Sequence, residues 1–479
     1  MNPQITGDNM NGAKLTFYTG VGTVTGANFL LETARSDDGK EKSKILIDCG
    51  MVQGETVAQQ QNMDPFGYDP ASIDVLMITH AHLDHVGRIP KLVKEGFRGV
   101  IYSTPQTFEL AKLVMEDAVN IIKEEADRDG LRPIYVMEDV QKVYPLWKTI
   151  PYHEKFEIVP GVSVFLKDAG HILGSSMIEV SIENKFQAPN DMLQTTKILF
   201  TGDLGNSPAP LLRDTEEVGD VDYLIMESVY GDRNHESREG RLNQFTKIIN
   251  DTLNRGGTLV IPAFSIDRTQ VLLYELNNLV KENKIPSVPV FLDSPMGEKA
   301  TAVYKSNTNL FNDSAQKQVT GGDDLFSFPH LTFVESNRES RGVDQMKGAK
   351  IILAGSGMSV GGRVIGHEQY FLTDPKSTIL LVGYQAAGSL GRELADGARK
   401  VRIHRETVKV KAHIETLYGY SAHKDGDHLV EFVSTGTDRL KEVFVVMGEP
   451  SASMHLAQRL NDELNVKAIV PERKKGYEV

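Results

Sequence analysis

Residues 80 to 85 read His80-Ala81-His82-Leu83-Asp84-His85 and follow the apolar run Val75-Leu76-Met77-Ile78-Thr79. Three imidazoles and a carboxylate are the side chains that hold zinc best when thiolates are absent. His80 and His82, two apart on an extended segment, face the same way. The only cysteine is Cys49, so a multi-thiolate site and an internal disulfide are both excluded. Four ligand-type residues in six, placed after a strand, point to a metal hydrolase.

Four other places repeat this design, an apolar strand with a metal-capable residue at its carboxyl end. They are Leu46-Ile47-Asp48, Ala169-Gly170-His171, Phe200-Thr201-Gly202-Asp203 and Met226-Glu227. Strand ends on one edge of a sheet converge, so these residues can meet. His80, His82 and His171 would make a three-imidazole site with an open fourth position, as a catalytic zinc needs. Asp84 and His85 would face a second metal, with Asp203 bridging. Two metals held about 3.5–4 Å apart suit in-line displacement at phosphorus. Asp48 would orient a ligand imidazole from behind.

The elements that position these residues alternate in two rhythms. Strands are expected at Leu15–Tyr18, Lys44–Ile47, Val75–Thr79, Val100–Tyr102, Val162–Leu166, Ile178–Ile182, Ile198–Phe200 and Tyr223–Met226. A helix is expected over Thr107–Ala126, with Leu110, Leu113, Val114, Ala118 and Ile121 on one face. The polar stretch Asn184–Thr195 reads as a long hairpin loop. From about residue 237 strands alternate with helices: Thr258–Ile261, a helix near Asp267–Lys281, then Val288–Leu292, Ile351–Leu353 and Thr378–Val382. That pattern predicts a doubly wound parallel sheet. Asn307–Asp324 is polar and reads as a surface excursion. Short strands return after about 403, with Val443–Val446 and a helix near Ala452–Leu464.

The chain of 479 residues is long enough for two or three domains. Its polar start, Met1 to Lys14, does not read as a signal peptide. No run approaches eighteen apolar residues, which argues against a membrane span. One cysteine and these absences fit a reducing, cytoplasmic setting. The net charge of −13 is a poor global match to a polyanion, so nucleic-acid binding would need a local basic cleft.

These motifs together resemble the metallo-β-lactamase fold, whose successive metal motifs match Asp48, His80–His85, His171 and Asp203. "MESVYGDR" (226–233), "IPAFSIDRTQ" (261–270), "DSPM" (293–296), "GSGMSVGGR" (355–363), "VGYQAAGSLGREL" (382–394) and "GYSAHKDGDH" (419–428) resemble its β-CASP branch of RNA- and DNA-processing nucleases. The resemblance implies an α/β chain: a metallo-β-lactamase αββα sandwich with an inserted parallel-sheet β-CASP domain. The sandwich would take residues 1–236 and 403–479, and the insert 237–402. It implies two zincs, one on His80, His82 and His171, the other on Asp84, His85 and Asp203, with Asp203 bridging. It implies that Glu227 pairs with His423, which then protonates the leaving oxygen.

The expected activity is hydrolysis of RNA phosphodiester bonds by a hydroxide bridging the two metals, with Asp84 also acting as base. Single-stranded RNA is the expected partner, with DNA, and endo- against exonuclease action, left open. The chain has the length of a bare core, so a homodimer or accessory RNA-processing proteins could supply specificity. Two alternatives stand beside this: a small-molecule ester or lactone hydrolase on the same metal fold, and a non-catalytic RNA-binding partner subunit.

One departure is visible. Where the family usually has a histidine in a "V-H-G-E" setting, this chain has Val446-Met447-Gly448-Glu449. Methionine is a poor zinc ligand. A weaker or more solvated Asp84/His85 site is therefore expected, and His455 lies too far on to substitute.

Ligands on parallel sheets bind at the carboxyl ends of the strands. Three loops there carry arginine: Ser265/Arg268, Ser356-Gly357 to Arg363, and Gln385 to Arg392. Glycine lets backbone approach phosphate, and arginine supplies a planar fork. These residues are the expected phosphate-binding cleft. The alternative is that the arginines pair with acids such as Asp267 and Glu393 across the lobe interface.

Overall fold

A computed structural model of the chain describes residues 12–34, 42–54, 58–184, 194–383, 385–386, 388–436 and 438–479. Two seven-stranded sheets lie face to face. In the first, Gly476–Glu478, Lys14–Thr19, Asn28–Ala34 and Lys42–Ile47 precede Val75–Met77, Val100–Ser103 and Trp147–Thr149. In the second, Ala468–Ile469, Glu442–Val445 and Tyr223–Met226 precede Gln194–Phe200, Ser176–Asn184, Val162–Asp168 and Phe156–Val159. Alternate residues of each strand point inward. Leu15, Phe17, Ile45 and Ile47 thereby meet Val164, Val180, Ile198, Phe200 and Phe444 in one dry core.

Helices cover the outer faces. Pro105–Asp129 begins at Thr104, whose hydroxyl accepts from the Thr107 N–H, and ends at Gly130 with φ 69°. Leu110, Val114 and Ala118 of its expected apolar stripe are buried. Ile121 is 49% exposed, and Ile122 takes its place, because the buried stripe advances by four residues there. Gly426–Ser434 and Pro450–Leu464 cover the second sheet. Among the described residues no helix is long and apolar enough to cross a membrane.

The expected parallel sheet is present in the insert. Its strands run in the order Leu331–Phe333, Val290–Asp293, Lys350–Ala354, Thr258–Pro262, Thr378–Val382, His413–Leu417, all parallel. Its last strand lies beyond residue 402, the expected boundary. The hairpin of Lys400–Ile403 with Glu406–Lys409 also buries Val401, Ile403 and Val408 in the insert's core. The open edge of the insert's sheet is completed by a strand that follows the hairpin, His413–Leu417 beside Thr378–Val382.

Asn307–Asp324 runs along the surface as expected but is anchored at Phe311 and Ala315, which are buried. Phe311 is fully buried and forms a β-bridge with Leu212 of the sandwich. The Asn312 N–H donates to the Leu211 carbonyl, and Gln106 donates to Asn307. Polar side chains here satisfy backbone groups at the junction of the lobes. The tip of the expected hairpin loop, residues 185–193, lies outside the described residues; its flanking strands pair antiparallel.

Candidate metal centre

The strand Val75–Met77 leads through Thr79 into His80, and His82 is the N-cap of the short helix Leu83–Val86. An extended segment thus presents His80 and His82, and the helical turn then brings Asp84 and His85 round to the same place. The packing leaves no room behind this loop. A Cβ on Gly50 would stand 1.5 Å from the Asp84 carbonyl oxygen, and one on Gly202 (φ 55°) would stand 2.6 Å from Thr79. Only glycine permits these approaches.

Three imidazoles and a carboxylate meet. His82 Nδ1 lies 3.2 Å from both His80 Nε2 and His171 Nε2. Asp203 Oδ2 lies 3.4 Å from His80 Nε2 and 3.5 Å from His171 Nε2. Four donors around one tetrahedral zinc would stand roughly 3.3 Å apart. The spacing and chemistry of this set therefore fit the ion. Burial and the neighbouring imidazoles hold His82 and His171 well below the usual histidine range, which keeps them neutral. The Ala422 carbonyl, 3.2 Å from His171 Nδ1, leaves Nε2 as the ligating nitrogen.

A second group adjoins the first. His85 Nε2 lies 3.3 Å from Asp203 Oδ1 and 3.8 Å from Asp84 Oδ2. His85 Nε2 and Asp203 Oδ1 are buried with no hydrogen-bond partner. Orphan polar atoms this deep are costly, and a shared cation would satisfy both. Asp203 thus turns one oxygen to each group.

Asp48 fixes the second group from behind. Its Oδ2 accepts from His85 Nδ1 at 2.7 Å, and its two oxygens accept from the Thr79 N–H and hydroxyl, each at 2.8 Å. Asp48 holds a strained backbone, φ 57°, to do so.

His423 Nδ1 lies 3.1 Å and 3.2 Å from the two oxygens of Glu227, and 3.9 Å from Asp203. Glu227 is pinned by the Leu204 N–H at 2.6 Å. Burial opposes charge on His423, but the Glu227 carboxylate outweighs it and lifts the imidazole to about 9. The Glu227 carboxylate thus favours the protonated form of His423.

The insert's arginines do not share one role. Arg363 donates to Asp293 Oδ1 at 2.6 Å and also to Val334 O, Glu335 O and Asn337, so its whole fork is engaged by the insert itself. Arg392 is half exposed and pairs with Asp396. Neither pairs across the lobes with Asp267 or Glu393. Arg268 is buried, its Nη1 has no partner, and it shares a cavity with His171, Ser421 and Ala422. Ser265 bonds Ser294, Ser356 accepts from the Val360 N–H, and Gly357 lies against the Phe264 ring. His455 is exposed on its helix and belongs to neither donor group.

Three contributors were not read from the sequence. Thr79 joins Asp48 to the histidine loop; its position directly before His80 was the available signal. His235 donates to the His423 carbonyl at 3.0 Å, and the Ala422 carbonyl orients His171. The last two act through long-range packing that leaves no motif.

Known proteins share these features. Family models match over residues 37–162 (metallo-beta-lactamase superfamily), 269–394 (Beta-Casp domain) and 407–471 (Zn-dependent metallo-hydrolase RNA specificity domain). Ribonuclease TTHA0252 of Thermus thermophilus is 34% identical over 87% of this chain and 90% of its own length. An RNase J-like protein of Methanocaldococcus jannaschii is 30% identical over 90% of this chain and 93% of its own. Transcription termination factor FttA of Methanosarcina mazei is 30% identical over 89% of this chain, which spans 66% of that longer protein. A crystal structure of an Enterococcus faecalis V583 protein of unknown function has the same fold, with TM-score 0.55 at 13% identity over 98% of this chain and all of that one.

Proposed function

The chain belongs to the β-CASP family of metallo-β-lactamase-fold hydrolases, and from that premise we propose that it is a zinc-dependent ribonuclease hydrolysing phosphodiester bonds of single-stranded RNA. The observation that carries this reading is the hydrogen-bonded His423–Glu227 pair, with His423 3.9 Å from the Asp203 carboxylate on which the metal-type donors converge. A proton donor beside such donors suits displacement of a poor leaving group.

His80, His82, His171 and Asp203 would hold one zinc, and Asp84, His85 and Asp203 a second. When bound, zinc lowers the pKa of water and neutralises charge developing on the phosphate. Asp84 accepts the proton of the attacking water. As the new oxygen–phosphorus bond forms and the ester bond breaks, His423 gives its Nε2 proton to the leaving oxygen. Glu227 aims that imidazole and favours its charged form. Arg268 supplies an unpaired donor in the cavity it shares with His171, with Ser265, Ser356 and Gly357 along the same strand ends. Arg392 sits further out, where a screened contact to RNA contributes little.

Product mapping on end-labelled RNA and DNA, with zinc counted on the same preparation, tests this. Cleavage of RNA by zinc-loaded protein supports it. Turnover of ester or lactone substrates with RNA untouched would favour a small-molecule hydrolase. Tight RNA binding without turnover at full zinc load would favour a partner subunit.

A further inference from the structure

The two donor groups differ in kind. The first offers three imidazole nitrogens and one carboxylate oxygen; the second offers one imidazole and two carboxylates. A borderline-soft ion is served best by the first set, whereas carboxylate-rich sets suit harder ions such as manganese. The first set is also complete, since four donors close a tetrahedron. The second has three, one of them shared.

Met447 explains why the second group stops at three. It follows the strand Glu442–Val445 and borders the small cavity that His85, Asp48, Gly202 and Glu227 also line. A side chain at 447 therefore stands beside the second group. Methionine does not use that position for ligation: its sulfur lies beside Gly20, and the residue is buried in the same apolar core as Phe29. The backbone there has φ 48°, held by Met447 N–H to Gly20 O and Ser228 N–H to Met447 O. Such a backbone is uncommon for methionine, and histidine adopts it more readily.

We propose that the two metal positions are unequal: the His80/His82/His171/Asp203 position retains zinc, and the Asp84/His85/Asp203 position is an exchangeable site that accepts manganese because Met447 leaves it one protein ligand short. This rests on the metal reading above. Zinc still outcompetes manganese at either position when both are free, but the preference is smaller at the second.

The test uses the full chain, loaded with zinc and dialysed against a chelator of intermediate strength. Zinc is then counted by mass spectrometry, and manganese uptake is followed by loss of the free-ion electron paramagnetic resonance signal. The wild type should keep about one zinc and take up about one manganese. Met447→His should keep about two zincs and take up none, the added imidazole tightening the second site roughly 10-fold or more. Asp84→Asn should keep its zinc and lose manganese uptake, which decides the question even if Met447→His misfolds. Two zincs held equally by the wild type, or manganese uptake surviving in Asp84→Asn, overturns the inequality alone. Failure to retain any zinc overturns the metal reading and the ribonuclease proposal with it.

Discussion

The metal centre and the carboxyl edge of the insert's sheet both collect buried charge, yet they leave it in opposite states. Around His367 the insert satisfies both ring nitrogens: Nε2 meets Asp293 at 2.8 Å, Nδ1 meets Asp344 at 2.6 Å, and Arg363 takes the other Asp293 oxygen at 2.6 Å. At the candidate metal centre His85 Nε2 and Asp203 Oδ1 have no hydrogen-bond partner, and nitrogens stand 3.2 Å apart facing one another. A closed network holds structure together; an open one is held open by the structure for something else. Arg268, whose Nη1 has no hydrogen-bond partner, shares a cavity with His171 although it sits in the insert.

Substitutions can break this contrast at graded cost. Asp84→Asn should abolish RNA cleavage while the thermal melt stays unchanged; detectable turnover would remove Asp84 from the mechanism. His423→Ala should lower turnover by roughly 10²- to 10⁴-fold while RNA affinity holds, the range for loss of a general acid. Asp48→Asn should weaken zinc binding by about 10- to 100-fold, as expected for a group that orients a ligand. The two arginines should then separate. Arg268→Ala should weaken RNA binding across sequences and reduce its salt slope by about one. Arg363→Ala should lower stability and leave RNA affinity alone; the reverse result would undo the division between open and closed networks.

The smallest effect concerns pH. Burial opposes charge on His367, but Asp293 and Asp344 outweigh it and raise the imidazole to about 9. A group raised above its unfolded value, about 6.5, stabilises the fold fully below that value. The contribution fades as pH climbs through about 9. His367→Asn should flatten that part of the stability profile, and an identical profile would show that the network does not depend on the charge.

The candidate donors were legible because the segments that carry them follow apolar strands, and strand ends of one sheet edge converge. His80, His82, Asp84, His85, His171 and Asp203 meet for that reason. Partners set by tertiary packing were not legible. Arg363 reads like a phosphate ligand until Asp293 occupies it. Phe311 reads as part of a polar excursion until Leu212 bridges to it. That His413–Leu417 joins the insert's sheet was not legible, because a strand's sheet depends on which edge is open, and no local spacing reports that.

Every donor to the first group lies before residue 204, yet the sheet that carries Asp203 has Glu442–Val445 beside Tyr223–Met226, and Gly476–Glu478 closes onto Lys14–Thr16 in the other. Pairings of such sequence separation need the whole intervening chain to be made and brought back first. During synthesis the ligands therefore emerge well before the strands that complete their two sheets. An incomplete chain would carry the full ligand set with no finished fold to aim it, so a nascent polypeptide still beside its own message would have no assembled cutting centre.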